Sequence, residues 1–115
     1  MAVVVTGAAG FIGRGLTRAL LTAGHRVVAV DRQAPPAQHS PGWPDQTSPD
    51  RARLTTLTAD LLDGDPRVAV TLADADAVVH LAGCSGVRDS TAGIEQRRYR
   101  DNVEATQLVA DLVPD

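Results

Sequence analysis

The chain has 115 residues and a formal charge of -3, from 14 acidic side chains against 11 basic ones, and every basic one is arginine. The absence of lysine excludes a Schiff base, a Walker-type phosphate lysine or a lysine-tuned tyrosine from this chain, and arginines scattered among acids argue against a nucleic-acid partner, which needs clustered positive charge. No apolar run reaches the ~18 residues of a membrane span, and the N-terminus lacks the basic start and apolar block of a signal peptide, so we expect a cytoplasmic protein with no membrane partner.

Ala2-Val3-Val4-Val5-Thr6 is a β-branched run ended by glycine, the pattern of a strand buried on both faces of a parallel sheet. Gly7 to Gly13 is a glycine-rich turn. From Ile12 to Ala23, residues Ile12, Leu16, Ala19, Leu20 and Ala23 recur at helical spacing, and Gly24 stops that helix as a C′ glycine. Arg26 to Val30 is a second strand, closed by Asp31. These pieces make a βαβ unit.

Gln33 to Arg53 holds five of the seven prolines and no apolar period. It reads as a long surface loop with room for one helical turn, and loops this long are usually functional or disordered. Leu54 to Thr58 is a third strand. Asp65-Pro66 is an N-cap followed by proline at the first helical position, opening a helix to about Ala73. Ala77 to Leu81 is a fourth strand, Gly83 to Gly93 a loop of small residues, and a long helix runs from about Ile94 to Val113, ended by Pro114. Alternating strands and helices predict one α/β domain over residues 1–115, a Rossmann-like doubly wound parallel sheet of order 3-2-1-4. A ligand would lie at the carboxyl ends of the strands, near the switch between the first and fourth.

The strongest motif is Thr6-Gly7-Ala8-Ala9-Gly10-Phe11-Ile12-Gly13, set between a strand and a helix. Gly7 permits the turn, Gly10 lets a pyrophosphate approach the backbone, and Gly13 lets the helix pack closely. The helix start offers free N–H groups and partial positive charge to phosphates. Asp31, 18 positions after Gly13, is placed to accept the ribose hydroxyls of an adenosine and to repel a 2′-phosphate. This favours NAD over NADP. Arg32 complicates the choice: its guanidinium either pairs with a 2′-phosphate or covers the adenine face. Arg14 is a further candidate phosphate partner. A P-loop is excluded, since no Gly-Lys-Ser/Thr follows the glycines, and a methyltransferase has less use for the turn.

With these segments in order, the chain resembles the extended short-chain dehydrogenase/reductase family, in its NAD-dependent epimerase/dehydratase branch. The TGxxGxxG turn is joined by Gly24-His25-Arg26-Val27 through Asp31-Arg32, by Ala59-Asp60-Leu61, by Val78-Val79-His80-Leu81-Ala82-Gly83 and by Tyr99-Arg100-Asp101-Asn102-Val103-Glu104-Ala105-Thr106. The resemblance implies that Gly7, Gly10, Phe11 and Ile12 line the pyrophosphate turn. It places Asp31 and Arg32 at the adenosine ribose, and Asp60 and Leu61 at the adenine. Leu81, Ala82 and Gly83 would pass beneath the ribose and nicotinamide side. Asn102 would brace the long helix against the strand ends or touch the cofactor region.

The family's catalytic dyad is a YxxxK pair. The only tyrosine, Tyr99, has Val103 at the lysine position, so no catalytic residue is assigned. We expect the N-terminal, cofactor-binding part of a longer nucleotide-sugar epimerase, dehydratase or reductase, cut before the fifth strand. The alternative is a non-catalytic NAD(P)-binding sensor or partner subunit. An unpaired fourth strand would invite association, such as a homodimer. His80 is expected to bond to nearby backbone. Cys84 has no partner for a disulfide and no neighbour to lower its pKa. His25, His39 and Cys84 lack metal-ligand spacing, and Trp43 is either a lid anchor or a local hydrophobic clamp.

Overall fold

The computed structural model describes residues 1–33, 43–44, 47–83 and 93–114. The valine run forms β1 (Ala2–Thr6), and Val3, Val4 and Val5 are all buried, as a central parallel strand requires. The other strands are β2 (Arg26–Asp31), β3 (Leu54–Thr58) and β4 (Ala77–His80). All pairings are parallel, in the order β3-β2-β1-β4. The register sets Thr6 opposite both Val30 and His80, and Asp31 opposite Thr58. The carboxyl ends of all the strands therefore meet at one edge of the sheet. Among the described residues, β4 pairs with β1 alone.

The helix α1 (Phe11–Thr22) follows the glycine turn. Its end is a Schellman closure: Gly24, at φ +92°, donates to Leu21 O, and His25 N–H donates to Leu20 O. Arg53 adds a further cap, its Nη2 donating to Leu21 O at 2.6 Å from the 3-10 turn Pro49–Arg53. Helix α2 (Pro66–Asp74) begins where the Asp65 side chain accepts from Arg67 N–H. The last helix is composite: α3 (Ile94–Arg98), a π-helical turn (Tyr99–Glu104) and α4 (Ala105–Leu112), with helical angles at both joints.

Because β1 is covered on both faces, its alternate side chains enter two cores. Val3 and Val5 pack with Leu21, Ala29, Leu54 and Trp43, on the α1 side. Val4 packs with Val30, Leu57, Val68, Leu72, Ala105 and Val109, on the side of α2 and α4. Trp43 is thus a core clamp rather than a lid anchor. The fourth strand ends at His80, one residue short of the expected Leu81. No helix is long and apolar enough to cross a membrane among the described residues.

Candidate functional site

The carboxyl edge of the sheet opens into a cleft of ≈ 600 Å³, within the usual range for a small-molecule site. All eleven residues singled out from sequence line it: Gly7, Gly10, Phe11, Ile12, Asp31, Arg32, Asp60, Leu61, Leu81, Ala82 and Gly83. Thr6, Gly13, Gln33, Asp101 and Asn102 join them, while Arg14 is not in the lining. The bases for these positions differ residue by residue.

The three motif glycines have separate reasons. Gly7 takes φ +69° and lies so close to the 81–82 backbone that a Cβ would meet Ala82 N at 2.6 Å. Gly13 is pressed against the turn, where a Cβ would meet Gly7 O at 2.2 Å. Gly10 is different. A Cβ there would meet only Gly7 O, at 3.4 Å, so its open side is the cleft. Gly10 caps α1 without a side chain. The first-turn N–H groups of Phe11, Ile12 and Gly13 have no acceptor inside the helix, which leaves them for an anion. Phe11 is 86% exposed and Ile12 68%, which makes an apolar rim at the mouth.

Asp31 closes the far side. Its Oδ2 accepts from Ala9 N–H at 3.0 Å and its Oδ1 from Gln33 N–H at 2.8 Å. Each oxygen keeps lone-pair capacity for a further donor. Asp60, after β3, accepts from Leu62 N–H at 3.0 Å and pairs with Arg100 at 3.1 Å. Burial pushes its pKa up, but the Leu62 N–H and Arg100 outweigh that and hold it below the ordinary carboxylate value.

Arg32 lines the cleft with its guanidinium already engaged. It forms a fork on Asp101, with Nη1 donating to Oδ1 at 3.2 Å and Nη2 to Oδ2 at 3.0 Å. Asp101, on the π-helical turn, is buried, and it also accepts from Arg100 at 3.1 Å. The hydrogen bond to Asp101 raises the Arg32 pKa, and the bond to Asp60 raises that of Arg100. Sequence reasoning missed Asp101 and Arg100. Their only sequence signal was their place beside Asn102 in the last helix.

The floor of the cleft is stitched by Thr6. Its hydroxyl accepts from Leu81 N–H at 3.0 Å and Ala82 N–H at 3.2 Å. Its proton is left for His80 Nδ1, 2.7 Å away. On the other side, Thr106 donates to Asn102 O at 2.8 Å, so its oxygen receives His80 Nε2–H at 3.0 Å. This bookkeeping of donors fixes a neutral His80 protonated at Nε2. Burial lowers its pKa in the same sense. His80 therefore bonds to two hydroxyls, not to backbone as expected. Asn102 lies against the 81–83 segment, where a Cβ on Gly83 would meet its Oδ1 at 2.7 Å. Cys84 and His39 lie outside the described residues, among which no metal-binding cluster occurs.

A family model for the NAD dependent epimerase/dehydratase family matches residues 3–115. The chain belongs to that family. Among curated relatives, 3-beta-hydroxysteroid dehydrogenase of Mycolicibacterium neoaurum is 33% identical over 91% of this chain and 26% of its own length. UDP-glucose 4-epimerase of Bacillus subtilis (strain 168) is 32% identical over 98% of this chain and 33% of its own. The crystal structure of UDP-glucuronic acid 4-epimerase from Bacillus cereus, in complex with UDP-glucuronic acid and NAD, is similar with a TM-score of 0.75. That match is 30% identical and covers 97% of this chain and 36% of the epimerase. The chain thus spans about a quarter of the steroid dehydrogenase and about a third of the Bacillus subtilis epimerase.

Proposed function

We propose that this chain is the NAD-holding part of an epimerase/dehydratase-type oxidoreductase acting on a nucleotide sugar. The observation that carries the reading is the cleft itself: an open glycine at a helix start on one side, and a carboxylate at the end of β2 on the other. The residues fit a dinucleotide. The Gly7, Gly10, Phe11 and Ile12 turn suits a diphosphate, whose charge the α1 N-terminus favours. Asp31 suits a ribose diol, Asp60 and Leu61 the adenine, and Leu81, Ala82 and Gly83 the nicotinamide side. When bound, NAD supplies a hydride acceptor. This chain's own residues bind and orient it, and the Thr6–His80 stitch fixes the 81–82 backbone at the floor of the cleft. NAD and a UDP-sugar occur together in the Bacillus cereus epimerase, which supports both ligand classes. The steroid dehydrogenase names the competing substrate class.

Calorimetric titration with NAD and NADP tests the cofactor. We expect saturable NAD binding, weaker NADP binding, and a loss of about tenfold in NAD affinity for Asp31→Ala, the worth of one charge-assisted hydrogen bond. Lack of NAD binding by the folded chain would overturn the reading. Substrate class is tested by offering UDP-sugars and 3β-hydroxysteroids to the longest natural polypeptide that carries these residues. A non-catalytic sensor or partner subunit would bind NAD equally well and differ only in showing no hydride transfer. A cytoplasmic location and a homodimer complete this reading.

A further inference from the structure

Arg32 follows Asp31 directly and lines the same cleft, so its guanidinium is a candidate partner for a group on the adenosine ribose. Its side chain is half-exposed, yet its fork is spent on Asp101, whose side chain is only 7% exposed. Asp101 also holds Arg100, which reaches on to Asp60 at 3.1 Å and Asp63 at 3.6 Å. At this end of the cleft the carboxylates of Asp31, Asp60, Asp63 and Asp101 outnumber the guanidinium groups of Arg32 and Arg100. A phosphate monoester carries roughly -1.5 to -2 charges. Seated beside Asp31, it would meet net negative charge and a guanidinium already engaged. Drawing Arg32 away would strip a buried carboxylate of its bidentate partner, which is costly.

We propose that Asp101 is a specificity-determining residue: by holding Arg32 against the last helix, it denies a 2′-phosphate the Arg32 guanidinium and favours the dinucleotide with a free 2′-hydroxyl. The proposal rests on the cofactor reading above. It makes Asp101, 69 positions from Arg32, part of the discrimination usually assigned to the end of the second strand.

The test is calorimetric titration of NAD and NADP into the wild-type chain, Asp101→Asn, Arg32→Gln and the double variant. Asp101→Asn should raise the NADP/NAD affinity ratio about tenfold, as expected for one charge-assisted hydrogen bond. In the Asp101→Asn background, adding Arg32→Gln should abolish the gain. An unchanged NADP/NAD ratio in folded, NAD-binding Asp101→Asn overturns the proposal. So does a gain that survives Arg32→Gln in the Asp101→Asn background. Should Asp101→Asn fail to fold, Arg32→Lys decides, because an ammonium cannot keep the two-point fork and is held less firmly by Asp101. NADP affinity above that of Arg32→Gln supports the clamp, and equal affinity overturns it. If the wild-type chain binds neither dinucleotide, the cofactor reading falls and takes this proposal with it. If NAD binds and the variants leave the ratio unmoved, this proposal alone falls.

Discussion

Gly10 and Gly13 stand three positions apart and do different things. A methyl group on Gly13 would collide with the Gly7 carbonyl at 2.2 Å, which is backbone and cannot yield cheaply. Gly13→Ala should therefore cost about 1–3 kcal/mol or more, read as a drop in the denaturant midpoint. Gly10 sits at φ -74° and ψ 173°, extended backbone that valine adopts readily. Gly10→Val should leave stability within about 1 kcal/mol. Its isopropyl group would stand where the diphosphate should lie, so NAD affinity should fall on the order of 100-fold by calorimetry. His80 gives a second residue-scale prediction. The folded chain keeps it neutral between Thr6 and Thr106, with its pKa lowered by burial. The unfolded chain takes up a proton near the ordinary value of ~6.5. The stabilisation is therefore complete above ~6.5 and is lost as pH falls from there through the lower folded value. Chemical denaturation at a series of pH values between about 7 and 5 should show it, and His80→Gln should flatten that slope.

At the scale of elements, the chain announced itself well. The valine runs, the Gly24 stop and the Asp65-Pro66 start mark β1, β2, α1 and α2 to within a residue or so, because each rests on local periodicity or capping. The last helix was legible in its limits but not in its π-helical turn. That turn puts Asp101 and Asn102 at the cleft, and what they meet, Arg32 and Gly83, comes from elements that no local pattern links to them. The hydroxyl partners of His80 were hidden for the same reason, since Thr6 lies 74 positions away. Trp43 is the remaining case. Sequence left it between lid and clamp because a proline-rich segment carries no period. The structure seats it at 9% exposure among Val3, Val5, Ala29 and Leu54. It should therefore act as core, with Trp43→Ala costing about 3–5 kcal/mol in equilibrium unfolding. NAD affinity of the fraction that remains folded should hold, because Trp43 does not line the cleft.

For the molecule as a whole, the cleft is an assembled object. The glycine turn, the ends of β2 and β3, the 81–83 segment and the π-helical turn each contribute one wall, and they are joined only by the folded sheet. An unfolded chain offers no such arrangement, so NAD should bind the native state alone. Binding of that kind stabilises by an amount set by mass action, about 2.7 kcal/mol at 100 times Kd. For a domain of this size that corresponds to a rise in Tm of roughly 10 °C or more. Thermal melts followed by circular dichroism should show the midpoint climbing with the logarithm of NAD concentration, with a smaller climb for NADP. Gly10→Val should melt near the wild-type temperature without ligand and fail to climb with it. A wild-type midpoint indifferent to NAD up to millimolar concentration would mean that the assembled walls do not enclose this dinucleotide.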